Sequence, residues 1–449
     1  MLTTSSPIAV TTRHCGLRLF TVVCATMLLM LNTGCNLISL ISTTRRHSAN
    51  FTTTVFIGDS LTAGFQNGSL LDTEQPNGYA NLVAKQASFQ LALPLIAPPG
   101  APAVLQLVSI GPPPVIQQES GTTTGRDNPT VQATDLAVPG HLLTDLINRA
   151  PSTVPTSNED IITDLVLGIP GLTQGEDYTQ LQWAEKLSPT TLFVWIGSND
   201  ALVAADSGMP SSMTPVAQFT TEFTQLMQTL QTKTKATLIV GNVPDITLVP
   251  YLTPGAVILA EFSASSGIPV AQLSTTLGIQ AADLVNPNGI TQIEAILGGK
   301  QAGPVSDSGF LSPAEIATVQ QNIQQYNAAI ATQVAAAGGT LVDINTALTQ
   351  LHNNPPTING TVATFAFLGG VFSLDGVHPT NTGYALLANI FIDRMNTALS
   401  TKIADVNVSA IAATDPLFPP NLPKAARRIH IPAAAAQSLD WMMKPRARH

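Results

Sequence analysis

Apolar residues gather into four short runs, at 53–57, 190–196, 236–240 and 340–344, with helix-like stretches between them. In the second run, Leu192-Phe193-Val194-Trp195-Ile196 is apolar at every position. That pattern predicts a strand covered on both faces of a parallel sheet, where no side is left for polar residues. A weaker strand is predicted over 131–137. The clearest helix is predicted over 313–335, where Ile316, Val319, Ile323, Tyr326, Ile330 and Val334 recur every three or four positions and form one stripe. Ser312, Pro313 and Glu315 supply an N-cap, a first-turn proline and the far half of a capping box, and Gly338-Gly339 close the segment. Strands alternating with helices predict an α/β domain with helices on both faces of a parallel sheet.

Three stretches break the alternation. Residues 89–130 are rich in proline and glycine, and 244–311 and 352–371 read as similarly irregular. Loops of this length inside a compact domain are commonly functional or disordered. No fixed-period repeat is present.

Composition changes the picture through its sorting. Charged residues make up 10% of the 449, well under the usual ~25%. Residues 1–49 hold four arginines and no acid, 50–414 hold 26 acids against nine Lys or Arg, and 415–449 hold six basic residues and two acids. An acidic body argues against nucleic acid as a partner. Cys15, Cys24 and Cys35 are the only cysteines, so the body beyond them has no disulfide, thiolate metal site or cysteine nucleophile.

Arg13 and Arg18 precede a charge-free run over 19–31, which ends in Thr33-Gly34-Cys35. The run has signal-peptide length and is too short to span a bilayer as a helix. Its end resembles the lipobox of bacterial lipoproteins, with Asn32 where a large aliphatic residue is usual. The expected organisation is a signal peptide over 1–35, a spacer over 36–52, a catalytic body over 53–414 and a basic, proline-rich tail over 415–449, read as an extended or flexible appendage. The expected location is the cell envelope, through a lipid on Cys35; secretion or an uncleaved anchor are the alternatives. Any membrane contact would come through that lipid.

The candidate chemistry sits where these strands end. Gly58-Asp59-Ser60-Leu61 follows the first run, at the carboxyl end where open α/β sheets place ligands. Asp375-Gly376-Val377-His378-Pro379 lies far downstream. An Asp three residues before a His can hold one ring nitrogen and leave the other to take the proton of Ser60. Gly197-Ser198-Asn199-Asp200 ends the all-apolar strand, and the Asn199 amide can donate to a developing oxyanion. Ala137-Val138-Pro139-Gly140 follows the weaker strand, where Gly140 can present a backbone N–H. Each piece alone is also ordinary turn chemistry.

Taken in this order, the four pieces resemble the four blocks of the GDSL, or SGNH, hydrolase family. The family's serine, glycine, asparagine and histidine fall on Ser60, Gly140, Asn199 and His378, and its acid on Asp375. Asp135 departs from the asparagine often found in the second block. The resemblance runs from about residue 53 to 397 and implies a three-layer α/β/α, flavodoxin-like sheet with long loop insertions. It also implies metal-free and cofactor-free hydrolysis of carboxyl esters, as an esterase or lipase. Ser60 would be the nucleophile, His378 the base and then acid, and Asp375 its orienting partner. The N–H groups of Ser60 and Gly140 with the Asn199 side chain would form the oxyanion hole. A surface-anchored binding protein on a silent hydrolase fold, or an acyltransferase, are the alternatives.

Asp59 and Asp200 are expected to brace loops. His141 adjoins Gly140 and is a candidate for the edge of the site; His352, His47, His430 and His449 form no spaced cluster with acids, so no metal is expected. The chain has no G-x-S-x-G, P-loop or H-E-x-x-H. An acyl lipid and an acetylated glycan both remain as ester substrates. The charge-free stretch 91–116 is either a wall of an acyl cleft or a loop packed on the flank of the sheet.

Overall fold

The computed structural model describes residues 49–110, 114–168, 177–422, 431, 437 and 439–442. The expected signal peptide, Cys35, most of the spacer, His47, His430, His449 and much of the basic tail lie outside the described residues. Among those that are described, no single helix is long and apolar enough to cross a membrane.

Four parallel strands form the central sheet: β1 (Thr54–Gly58), β2 (Thr191–Trp195), β3 (Thr237–Gly241) and β4 (Thr340–Val342), hydrogen-bonded in that order. Thr54 pairs with Thr191, Thr191 with Thr237 and Ile239 with Thr340, so the strand ends are nearly level. β1 and β2 are buried at every position, as the unbroken apolar runs predict. Phe56, Phe193, Trp195 and Ile239 point to one face, against helices Tyr79–Ala87 and Asn381–Leu399. Val55, Leu192, Val194, Leu238 and Val240 point to the other, against helices Gln180–Leu187, Val216–Lys233 and Pro313–Ala336. This is the two-residue alternation of a strand with both faces covered. The rings of Phe56 and Phe193 stack at 4.1 Å across β1 and β2.

Residues 134–138 run alongside the free edge of β1. The Phe56 N–H donates to the Thr134 carbonyl (2.8 Å), and the N–H groups of Leu136 and Val138 donate to the carbonyls of Phe56 (2.9 Å) and Gly58 (3.1 Å). With this segment outermost, the spatial order is that of flavodoxin-like sheets, 2-1-3-4-5. It forms one isolated bridge, Phe56 to Asp135, in place of the strand expected over 131–137. The Asp135 carboxylate takes the Ala137 N–H for itself (3.2 Å), a local bond of the kind that competes with a ladder.

The long helix forms as predicted, over Pro313–Ala336, with the Ser312 N–H donating to the Glu315 carboxylate (2.8 Å) and the stripe from Val319 to Val334 buried. Region 244–311 differs from its irregular reading. It holds three helices, Gly255–Ser266, Val270–Leu277 and Pro287–Leu297, a small antiparallel ribbon and its own apolar core around Ile258, Leu273 and Ile293. Its prolines and glycines serve as helix punctuation: Pro254 and Pro269 precede helices, Pro287 opens one, and Gly267 and Gly278 close two.

The tail also departs from the reading of a loose appendage. Asp415 is buried and its carboxylate accepts from the N–H (2.8 Å) and hydroxyl (2.7 Å) of Thr382, while Leu417 and Phe418 are buried. Ile431, Leu439 and Met442 join the main core cluster. Apolar residues spaced among basic ones and prolines carry no periodic signal, so nothing in the pattern announces this packing.

Candidate functional site

At the carboxyl end of β1 the chain turns at Gly58, where any side chain would collide with the Trp195 carbonyl of β2. Asp59 then caps a single helical turn, Ser60–Ala63, by accepting the Leu61 N–H at 3.1 Å. Burial pushes the Asp59 carboxyl up to about 6, against the lowering effect of that hydrogen bond and of the nearby His378. This turn fixes Ser60, which is 3% exposed.

Ser60, His378 and Asp375 form one hydrogen-bonded row. Ser60 Oγ lies 2.8 Å from His378 Nε2, and His378 Nδ1 lies 2.9 Å from Asp375 Oδ2. The second carboxylate oxygen of Asp375 accepts the N–H groups of Val377 and His378 at 2.9 Å each, which holds the acid and the ring in one turn. Gly68, in the loop beyond Ser60, donates its N–H to Asp375 Oδ2 at 2.7 Å. Complete burial would raise the Asp375 carboxyl, but the His378 ring and these hydrogen bonds hold it below the ordinary carboxylate value. Phe65 packs on the ring of His378, with centroids 4.6 Å apart. Thr380 caps the following helix, Asn381–Leu399, just past Pro379.

Asn199 is the second residue of helix Ser198–Ser207, which starts where β2 ends, after Gly197 in a left-handed conformation (φ 109°). Its amide nitrogen donates to the His141 carbonyl at 3.0 Å, which ties the loop of Gly140 to the helix. Gly140 has φ 81°. Among the described residues, the N–H groups of Ser60 and Gly140 make no hydrogen bond within the protein. Two free backbone donors and one amide therefore stand on the loops that surround Ser60. Asp200 braces this arrangement. It accepts the Leu143 N–H (2.9 Å) and the Thr214 hydroxyl (2.6 Å), and its burial raises its carboxyl to about 7.

His141 is fully buried beside Gly140 and serves as a link. Its Nε2 meets Thr163 Oγ1 at 2.9 Å and its Nδ1 meets Gln180 Nε2 at 3.1 Å. The Thr163 hydroxyl donates to the Glu159 carbonyl, so His141 Nε2 carries the proton and Nδ1 accepts. Gln180 went unnoticed in the sequence. Its side-chain amide brackets Gly58, accepting the N–H at 2.8 Å and donating to the carbonyl at 3.0 Å. Its partner lies 122 residues away, and a glutamine at a helix start carries no signal of such a role. His352 lies apart, edge-on to Phe365. Among the described residues, no group of three or more His, Cys, Asp or Glu is placed to hold a metal ion.

A sequence model of the GDSL-like Lipase/Acylhydrolase family matches residues 54–391. The chain belongs to this family. The match spans all four central strands and the loops that carry Ser60 and His378, and membership supports ester hydrolysis as the general chemistry. Among curated proteins no sequence matches. Two solved structures that resemble this family member are LAE5, an alpha/beta hydrolase enzyme from the metagenome of Lake Arreo, Spain, and Axe2, an acetylxylan esterase from Geobacillus stearothermophilus. LAE5 is 14% identical, with a TM-score of 0.36, covering 79% of this chain and 99% of its own. Axe2 is 13% identical, with a TM-score of 0.36, covering 78% and 96%. At scores this low the likenesses decide nothing about activity.

Ser60, Asn199 and His378 of this hydrolase line one side of a cleft. Its walls come from residues 244–249, helix Ile344–Asn353, residues 365–372 and the start of helix Asn381–Leu399. Among the described residues of 91–116, none lines it. That stretch instead carries the hairpin Leu105–Ser109 with Val115–Gln118; Ile96, Leu105 and Ile116 pack into the main core, while Val108 and Val115 are exposed.

Proposed function

We propose that this protein is a serine esterase that cleaves carboxyl esters through an acyl-enzyme on Ser60, exported and lipidated at Cys35. The observation that carries the catalytic reading is the row Ser60–His378–Asp375, with both hydrogen bonds under 3 Å and both partners buried. Ser60 Oγ attacks the acyl carbon while His378 Nε2 takes its proton, and Asp375 steadies the resulting cation. The charge that develops on the carbonyl oxygen is met by the N–H groups of Ser60 and Gly140 and by the Asn199 amide. As the tetrahedral intermediate collapses, the bond to the alcohol oxygen breaks and His378 returns the proton to it. Water then enters, His378 takes its proton, and the acid leaves as Ser60 is restored.

Ser60→Ala is expected to abolish ester hydrolysis while leaving the melting profile unchanged, and a fluorophosphonate is expected to label the parent protein at Ser60. Undiminished turnover in the variant overturns the assignment. The export reading draws on the leader at Arg13, Arg18 and 19–31. Incorporation of a labelled fatty acid in the cell, lost in Cys35→Ala, is its test.

A further inference from the structure

The cleft beside Ser60 is far more apolar than cleavage of an ester requires. Away from the reacting groups its walls are hydrocarbon: Leu248, Val249, Leu348, Leu351, Phe365 and Leu386 among them. The one carboxylate on the wall, Asp245, is already engaged. Its oxygens accept from the N–H (2.9 Å) and hydroxyl (2.6 Å) of Thr247 and from the Gln320 amide (2.9 Å). A sugar entering this space would lose the water on its hydroxyls and find few partners, which is costly, whereas a hydrocarbon chain loses nothing of the kind.

The cleft shares a wall with a neighbouring groove. Leu351, on helix Ile344–Asn353, and Leu386, on helix Asn381–Leu399, line both this cleft and a second groove between the same two helices. That second groove also has Asp343, Gln350, Asn354, Asn389 and Asp393 along it, which the cleft beside Ser60 does not. Both leucines are half-buried and separate the cleft from this groove.

We infer that the cleft is an acyl-chain channel for esters of hydrocarbon acids, and that Leu351 and Leu386 are the specificity-determining residues that set the longest chain it takes. The inference rests on the assignment of Ser60 as the nucleophile. A chain that reaches the leucines can lengthen only by displacing them. Loss of a methylene-sized fit at such a wall is worth about 10–200-fold in rate. Neither leucine belongs to the catalytic row.

The test is a series of nitrophenyl esters with one leaving group and a rising acyl chain: acetate, butyrate, octanoate, laurate and palmitate. In the parent protein kcat/KM is expected to rise from acetate to a medium chain and fall beyond it. In Leu351→Ala and in Leu386→Ala the fall is expected at a longer chain, with kcat/KM on the first excluded ester raised by about tenfold or more. Leu351→Met, which keeps the volume, is expected to retain the parent limit. Acetate as the best substrate, or an unchanged limit in both alanine variants, overturns the inference.

Titration of fatty acids into Ser60→Ala by calorimetry keeps the two readings apart. Affinity that follows the same chain-length order supports the channel even if the parent protein hydrolyses nothing, in which case the Ser60 reading fails alone. Absence of chain-length dependence in both binding and turnover refutes the channel and leaves the nucleophile untouched.

Discussion

Asp135 holds a carboxyl in a place that offers it almost nothing. It is 1% exposed, and its Oδ1 accepts the Ala137 N–H at a long 3.2 Å. Desolvation pushes its pKa up from an ordinary 3.8 to about 8, so at neutral pH it is protonated in the folded protein and ionised in the unfolded chain. The perturbation to make is Asp135→Asn, which keeps the shape and removes the proton. Because the folded-state value lies above the unfolded one, the stability associated with Asp135 is fully present below pH 3.8 and lost as pH rises through about 8. Each pH unit in that window costs about 1.36 kcal/mol. Between 3.8 and neutrality roughly three units accumulate, or about 4 kcal/mol. Asparagine escapes this cost, less about 1–3 kcal/mol if its NH₂ finds no acceptor. The expected result is a variant more stable than the parent at neutral pH by about 1–4 kcal/mol, with the gain shrinking toward zero or reversing near pH 4. Urea unfolding of both proteins across that pH range measures it. A stability difference that does not change with pH refutes the reasoning, because it means Asp135 is not held protonated by the fold.

Two further variants probe the site itself. Asn199→Ala is expected to lower kcat by about 10²–10³ with little change in KM, since the amide acts on charge that develops during the reaction; steady-state kinetics on one ester decides it, and an effect confined to KM argues against an oxyanion role. Gly58→Ala forces a methyl group into the Trp195 carbonyl. It is expected to destabilise the fold by about 1–3 kcal/mol and to reduce kcat through displacement of Ser60, as read by thermal melts and turnover.

The central strands were legible because sheets covered on both faces demand unbroken apolar runs, and 53–57 and 190–196 have them. The chemistry was legible for a related reason. In a parallel sheet all carboxyl ends lie on one side, so short polar motifs that follow apolar runs meet in space however far apart they stand. Residues 134–138 were only half legible, because the polar bond of Asp135 trades ladder geometry for a turn. The helices of 244–311 were hidden by their own caps: proline and glycine read as breakers in a sequence and as boundaries in a structure. The role of 91–116 stayed open between cleft wall and packed loop because an apolar loop has the same composition whether it faces a substrate or a neighbouring helix. Leu348, Leu351 and Leu386 sit on helices where such residues look like ordinary core. Gln180 was invisible because a single amide bridging two loops leaves no periodicity behind.

The last described residues of the chain return to the loops of Gly140 and Gly376. A methyl group on Gly376 would run into Ile431, and one on Gly140 would lie 2.9 Å from Met442. Both glycines have positive φ, 71° and 81°, and both sit in loops that hold the site together. During synthesis, then, β1 and Ser60 emerge early, but the contacts that cover Gly140 and Gly376 wait until residue 442 has left the ribosome. A chain cut short before residue 431 has Ser60, Asp375 and His378 but lacks the contacts of Ile431 and Met442 with two of the loops around them.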